Sequence, residues 1–457
     1  LMPRSTDAED SRVMLTAMPA ESSPVSSWRV DLAARLREKQ ARVGVVGLGY
    51  VGLPMLVAAA RAGYGGVGVD VDVERVADLR EGHSYIDDIS DAMLRDIRPK
   101  LRVSTNHDAL RDCDVVLICV PTPLTDHEPD LRHIKLAGAG VAGRLRPGML
   151  VILESTTYPG TTEEILRPIL ETSGLVAGQD FALAYSPERI DPGRGLDHLE
   201  KTPKVVGGLS RRDGELAATF YRAFVHEVEL VSTPREAEMA KLIENTFRHV
   251  NIALVNELAY LSKDLDVDLW ESIRAAATKP FGFMPVWPGP GVGGHCIAID
   301  PSYLSWRVGQ RTGHRLNFVE HAQEVNARMP GFVAQRIAQA LNERSKPVRG
   351  SKIMGIGVSY KADVSDVRES PAVAVLERLS ASGARISFHD PLVRQVEIAG
   401  RTFTSRPLSE RVLAEQDCVV VLTAHSGIDY EQVVTRSPLV FDARGVTRGR
   451  RANVHRL

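Results

Sequence analysis

The run Arg42-Val43-Gly44-Val45-Val46-Gly47-Leu48-Gly49-Tyr50-Val51-Gly52 constrains the fold more than any other stretch of this chain. An apolar strand leads into G-x-G-x-x-G, and a helical pattern follows to about Ala62. The first glycine allows a tight turn, the second lets backbone approach a pyrophosphate, and the third lets helix and strand pack closely. The helix N-terminus then offers free N–H groups to the phosphate. A second strand, Val67-Gly68-Val69, ends in Asp70, about 20 residues on, where a carboxylate can accept from both ribose hydroxyls. That carboxylate would repel a 2′-phosphate, so NAD is expected rather than NADP, although Arg75 close by could serve a phosphate.

Further strands are expected at Cys113 to Val120 and at Leu150 to Glu154, with helical pattern between them. Short apolar strands alternating with helices predict a parallel, doubly wound sheet. The same alternation returns at Lys352 to Gly357, Pro371 to Ser382, Arg385 to His389, Asp417 to Leu422 and Leu439 to Asp442. Between the two patterns, Pro234 to about Ala277 reads as a long helical region, and Lys279 to Gly294 as a loop crowded with Pro, Gly and aromatic residues. The fold class expected is α/β, with two Rossmann-like domains with parallel sheets joined by a long central helix. Its parts are a flexible tail and short helix (1–40), an NAD-binding domain (41–233), a central helical region (234–330) and a second, C-terminal Rossmann-like domain (331–457).

A chain of 457 residues with net charge −2 has no excess basic field for a nucleic-acid backbone, and no apolar run reaches the 18 or so residues that would span a bilayer. Residues 1 to about 27 are polar and lack an apolar signal core. Cys113, Cys119 and Cys418 lie in or beside apolar runs and read as buried thiols, without metal-ligand spacing; that usage fits a reducing, cytoplasmic setting.

Cys296 is different. It stands in Gly293-Gly294-His295-Cys296-Ile297-Ala298-Ile299-Asp300-Pro301, after the flexible loop, where the paired glycines let another group approach the backbone. A thiol there is either one more inert cysteine or a nucleophile activated by cationic neighbours. In the central helix, Lys241 and Asn245 lie one turn apart and share a face, which taken alone is equally consistent with a solvated pair.

Taken together, these stretches resemble the UDP-glucose/GDP-mannose dehydrogenase family from about Arg42 to about Arg444. The blocks that carry the resemblance are Val46 to Pro54, Val120-Pro121-Thr122-Pro123, Glu154 to Thr162, Lys241-Leu242-Ile243-Glu244-Asn245, and Gly293 to Pro301. The resemblance implies oxidation of the C6 alcohol of a nucleotide-sugar to a carboxylate with two NAD. In that reading Cys296 is the nucleophile, forming a thiohemiacetal and then a thioester. Lys241 and Asn245 stabilise charge on the C6 oxygen, Asp300 works with Lys241 and a water in proton transfer, and Glu154 and Thr122 help with the hydrolytic water.

The resemblance also assigns Gly47, Gly49, Tyr50, Val51, Gly52, Asp70, Arg75, Pro121, Thr122, Thr156 and Arg368 to the cofactor. Glu188, Arg189, Lys241, Asn245, Phe281, Gly282, Phe283, Gly293 and Lys361 fall to the sugar nucleotide, and no residue to a metal. It does not fix the sugar or the base. Thr122 to Thr125, Glu154 to Thr162 and Ala277 to Pro285 are most similar to the branch with UDP-N-acetylglucosamine 6-dehydrogenases, while relatives in antibiotic-sugar pathways use dTDP-glucose and others UDP-glucose. A homologue that only binds sugar nucleotide, and a single-hydride hydroxyacid dehydrogenase that needs no cysteine, are the alternatives. The apolar stripe Met239, Leu242, Ile243, Val250, Leu254, Leu258 and Leu261 on the central helix suits either an intrachain core or a homodimer.

Overall fold

The computed structural model of the protein describes residues 26–125, 128–190, 193, 195–294 and 296–457. The expected loose tail therefore lies, over residues 1–25, outside the described residues, as does His295. The short helix Ser27–Arg37 is docked on the first domain. Leu32 and Leu36 are buried in that domain's core, and the Arg29 guanidinium donates to Asp213 at 2.7 Å.

The first sheet has eight strands: β1 Arg42–Val46, β2 Gly65–Val69, β3 Leu101–Ser104, β4 Val115–Ile118, β5 Leu150–Leu153, β6 Ala182–Tyr185, β7 Lys204–Gly208 and β8 Val228–Val231. Their order is β3-β2-β1-β4-β5-β6-β7-β8, parallel throughout except that β7 runs antiparallel to β6. The strands β4, β5 and β6 are buried along their whole length, because helices cover both faces of the sheet; that is why they read as unbroken apolar runs rather than alternating ones.

The second sheet has five parallel strands: β9 Lys352–Ile356, β10 Arg385–His389, β11 Cys418–Val421, β12 Val440–Asp442 and β13 Val454–Arg456, in the order β10-β9-β11-β12-β13. In each sheet the order reverses beside its first strand, which opens a crevice at the carboxyl ends of β1 and β4 and of β9 and β11. Bonds join these two edges. Ser365 Oγ donates to Asp87 Oδ2 at 2.8 Å, and the Arg368 guanidinium lies 5.1 Å from the centre of the Tyr50 ring.

Over residues 234–277 the structure holds two helices where one long helical region was expected. Pro234–Ser262 ends before Leu269–Ala276 because Asp266 adopts a positive φ of 51° and Asp268 caps the second helix. A further helix, Asn317–Asn342, packs against the first and carries Pro330 inside it, so the boundary expected at 330–331 falls within one continuous helix. The two are tied by a buried amide pair, Asn256 Nδ2 to Asn326 Oδ1 at 2.9 Å, and Asn256 also accepts from the Gly289 amide at 3.0 Å. Cys113, Cys119 and Cys418 are buried.

Candidate functional site

The loop after β1 meets the geometric demands of a dinucleotide. A Cβ on Gly52 would sit 1.8 Å from the Gly47 carbonyl oxygen, whereas one on Gly49 would meet nothing within 4 Å. Gly52 is thus fixed by internal packing, and Gly49 faces the open space through which a pyrophosphate would reach the backbone. At the end of β2, Asp70 is buried and accepts from Leu48 N at 2.7 Å and Asp72 N at 2.9 Å, which holds its carboxylate at the lip of the crevice. The Arg75 guanidinium stands 3.9 Å from Asp70 and 3.3 Å from Asp72, engaged with acids. Val51 lies in the turn that starts the Gly52–Arg61 helix, and Tyr50 is stacked under Arg368, whose guanidinium is held by Asp366 at 2.6 Å. NAD fits this cradle.

Across the crevice, the loop after β4 is pinned in place. Thr122 Oγ1 donates to the Thr156 carbonyl at 2.8 Å, Ser155 Oγ donates to the Val120 carbonyl at 2.7 Å, and the Tyr303 hydroxyl donates to the Thr122 carbonyl. Pro121 between them is exposed. Tyr303 belongs to the helix Asp300–Thr312, so the cofactor side of the crevice and the cysteine turn are joined directly.

Cys296 occupies the turn before that helix, and its carbonyl accepts from Asp300 N at 2.9 Å. The glycines before it answer a packing demand. Added Cβ atoms would strike Glu369, Pro371 and Tyr360 from Gly293 and the Tyr360 ring from Gly294, all at under 3 Å. The group that approaches this backbone is therefore the 359–371 loop of the C-terminal domain, which also brings Lys361 and Arg368. Lys361 is half-buried there.

Lys241 and Asn245, both buried, project from one face of the central helix. Asn245 Nδ2 donates to Asp300 Oδ2 at 2.5 Å. Burial pushes the Asp300 carboxyl up to about 7, against the pull of Lys241 and the Asn245 bond. Cys296 is exposed to water at the crevice, yet dense protein around it costs the thiolate hydration. Its pKa rises to about 11, with Asp300 and Glu188 adding to the rise while Lys241 and Arg368 oppose it. One thiol, one carboxyl near neutrality, one ammonium and one amide thus act within a single electrostatic neighbourhood.

Glu154, Glu188 and Arg189 form a second group. Arg189 pairs with Glu244 of the central helix at 2.7 Å and donates to the Pro203 carbonyl at 2.5 Å. Glu154 is fully buried behind the loop that follows β5, and Lys204 Nζ bridges it, at 3.0 Å, to Glu188 at 3.3 Å. The Tyr221 hydroxyl donates to the other Glu154 oxygen. Phe281, Gly282 and Phe283 are exposed, and their loop becomes buried only at residues 288–290. Lys204, Tyr221 and Tyr360 escaped the sequence reading. A lysine heading the apolar strand Lys204–Gly208 is the one cue, since a buried ammonium there must have a partner.

Comparison with known proteins bears on the chain as a whole. Sequence models of the UDP-glucose/GDP-mannose dehydrogenase family match in order along the chain: the NAD binding domain over residues 41–225, the central domain over 235–328 and the UDP binding domain over 355–449. The chain belongs to that family. It is similar to the UDP-N-acetyl-D-mannosamine dehydrogenase of Pyrococcus horikoshii, 34% identical over 429 residues that cover 89% of this chain and 99% of that protein. It is also similar to the UDP-N-acetyl-D-glucosamine 6-dehydrogenase of Pseudomonas aeruginosa, at 35% identity over 391 residues, or 85% of this chain and 91% of that one.

Among solved structures, that of the Pyrococcus horikoshii enzyme superposes with a TM-score of 0.83, covering 91% of this chain and 98% of that one at 34% identity. A UDP-glucose dehydrogenase from Pyrobaculum islandicum gives 0.78 at 30% identity, over 89% and 94% of the two chains. As a UDP-glucose/GDP-mannose dehydrogenase the protein is an NAD-dependent nucleotide-sugar dehydrogenase, and its C-terminal domain is the one that binds the nucleotide of the sugar substrate. Among the described residues, no helix is long and apolar enough to cross a membrane.

Proposed function

We propose that this enzyme oxidises the C6 hydroxyl of a UDP-linked hexose by four electrons to the uronic acid, with the sugar held on Cys296 between the two oxidations. The observation that supports this reading best is the convergence of Cys296, Asp300, Lys241 and Asn245 around one helix start. NAD, when bound, accepts a hydride in each oxidation. In the first, the C6 hydroxyl gives its proton toward Asp300, whose carboxyl titrates near neutrality, and the C6 oxygen faces the Lys241 ammonium and the Asn245 amide. The Cys296 sulfur then adds to the aldehyde carbon, its proton going to the oxygen, to give a thiohemiacetal. Loss of the second hydride and of the hydroxyl proton leaves a thioester. Water attacks that thioester, with Glu154 and Thr122 near its path, and releases the acid and the free thiol.

The relatives' names point to a 2-acetamido-hexose, since the substrates they specify are UDP-N-acetylmannosamine and UDP-N-acetylglucosamine. A panel of UDP-N-acetylglucosamine, UDP-N-acetylmannosamine, UDP-glucose and dTDP-glucose, read by NADH formation, tests the assignment. Two NADH per sugar are expected with a UDP-2-acetamido-hexose. Turnover restricted to dTDP-glucose, or one NADH per sugar, would overturn it.

The same helix that carries Lys241 favours a homodimer. Ile243, Phe247, Leu254, Leu258 and Leu261 are all exposed and recur at helical spacing along one stripe, an apolar surface that a second copy would cover. Leu254→Glu with Leu258→Glu should convert a dimer in sedimentation to a monomer; a wild type that sediments only as monomer would contradict the dimer.

A further inference from the structure

Lys204 has no place in the mechanism so far, yet its ammonium is buried and fully engaged. It heads β7, the strand that runs antiparallel to its neighbour β6, and so enters the sheet from the side of the crevice. The residue is 5% exposed, and its ammonium, with three donors, meets three acceptors: Glu154 Oε2 at 3.0 Å, Glu188 Oε2 at 3.3 Å and the Pro187 carbonyl at 3.1 Å. The Tyr221 ring lies beneath it with its centre 5.2 Å away, and the Tyr221 hydroxyl occupies the remaining Glu154 oxygen. Glu188 in turn fixes the Pro187–Ile190 segment by accepting from Ile190 N. Two buried carboxylates thus share one cation, and the unit carries one negative charge too many for its surroundings. A proton relieves that excess.

We propose that Lys204 is a positioning residue for the last step of the reaction: it locks Glu154 and Glu188 into one three-centre unit, and this unit, rather than Glu154 alone, handles the proton when water releases the acid. The inference rests on the oxidation proposed above. Glu154 lies on the segment that also carries Thr156, bonded to Thr122 at 2.8 Å, and Glu188 is close enough to Cys296 to raise the thiol's pKa. The unit therefore borders the cofactor loop, and its charge is felt at the sulfur. The titratable groups around it are Cys119 after β4, Tyr185 on β6 and Tyr221 on the helix Arg211–Tyr221.

Burial drives Glu154 well above the usual carboxylate range; Lys204 and the Tyr221 bond work against this, and Glu188 adds to it. Burial alone would lower the Lys204 ammonium, but its two carboxylates outweigh that and raise it, so the lysine stays charged. The signs of three substitutions follow. Lys204→Met removes the opposing cation and Tyr221→Phe the opposing donor, so both move the Glu154 titration to higher pH. Glu188→Gln removes a like charge and moves it to lower pH.

The experiment uses the full-length enzyme with NAD and the best sugar nucleotide of the panel, saturating both, and compares the first NADH burst with the rate of acid release from pH 5.5 to 9. The account predicts that Lys204→Met leaves the burst in place, slows acid release about tenfold at pH 7 and moves its acid limb up by about one unit. Tyr221→Phe should move the limb the same way by less, and Glu188→Gln the opposite way. A folded Lys204→Met enzyme with the wild-type limb and wild-type partition overturns the inference. If that variant does not fold, opposite shifts in Tyr221→Phe and Glu188→Gln support it, and shifts of one sign or none overturn it. A wild type that releases no acid from any sugar of the panel would sink the oxidation itself and this inference with it.

Discussion

Asn245 on the central helix and Asp300 at the first turn of the helix after the cysteine are joined by a bond of 2.5 Å from amide to carboxylate. The bond fixes the face that carries Lys241 against the turn that carries Cys296, across 55 residues of chain. It also engages one of the two Asp300 oxygens. Lys241→Met should lower kcat by about 10²–10³ with little change in the melting temperature, the usual cost of losing one group that faces a developing oxyanion. Asn245→Ala should cost less. Steady-state kinetics on folded variants would check both, and a change confined to KM would argue against roles on the reacting oxygen.

Asp300 also sets the sulfur's reactivity. Its charge helps raise the Cys296 thiol, so Asp300→Asn should lower that pKa. At pH 8.5, iodoacetamide labelling of Cys296 in the free enzyme is expected to be several-fold faster in the variant, because the thiolate fraction grows. Slower labelling would contradict the assigned field.

A carboxyl raised to about 7 by burial has a definite effect on stability. The folded pKa lies above the unfolded one, so the stabilising contribution is complete below the unfolded value of about 4 and is lost as pH rises through 7. Relative to wild type, Asp300→Asn should therefore gain melting temperature between pH 5 and 8. Calorimetry of the two proteins at matched pH reads the difference directly, and a gap that closes with rising pH would have the wrong sign.

The second and third glycines of the nucleotide loop should separate binding from folding. Gly52→Ala forces a methyl group into the Gly47 carbonyl and should destabilise the domain by about 1–3 kcal/mol or more. Gly49→Val meets open space, so the fold should survive while KM for NAD rises several-fold or more. Thermal melting and NAD titration distinguish them.

What could be read before any coordinates was whatever is local in the chain. The turn at Gly47 to Gly52 announces itself because strand, glycines and helix are contiguous. Cys296 could be read only through its resemblance to a family, since the reason for its glycines, the Tyr360 ring, lies more than sixty residues away. Lys204 was silent for the same reason: its partner Glu154 is 50 residues distant, and a lysine at a strand start ordinarily points to water. The helix Asn317–Asn342 was hidden by Pro330 and Gly331 in its middle, residues that usually mark an end. The stripe on the central helix was visible, but whether a core or a second copy covers it depends on tertiary packing; the structure buries Leu242 in a core and leaves Ile243, Leu254, Leu258 and Leu261 exposed.

The account turns on sulfur carrying the sugar. Rapid acid quench of the enzyme with NAD and its sugar nucleotide, followed by mass analysis of the peptide containing Cys296, should find that cysteine bearing the sugar nucleotide as a thioester, and Cys296→Ser should lose both the adduct and the second NADH. An unmodified Cys296 throughout turnover, with the Cys296→Ser enzyme still making two NADH per sugar at the wild-type rate, would contradict it.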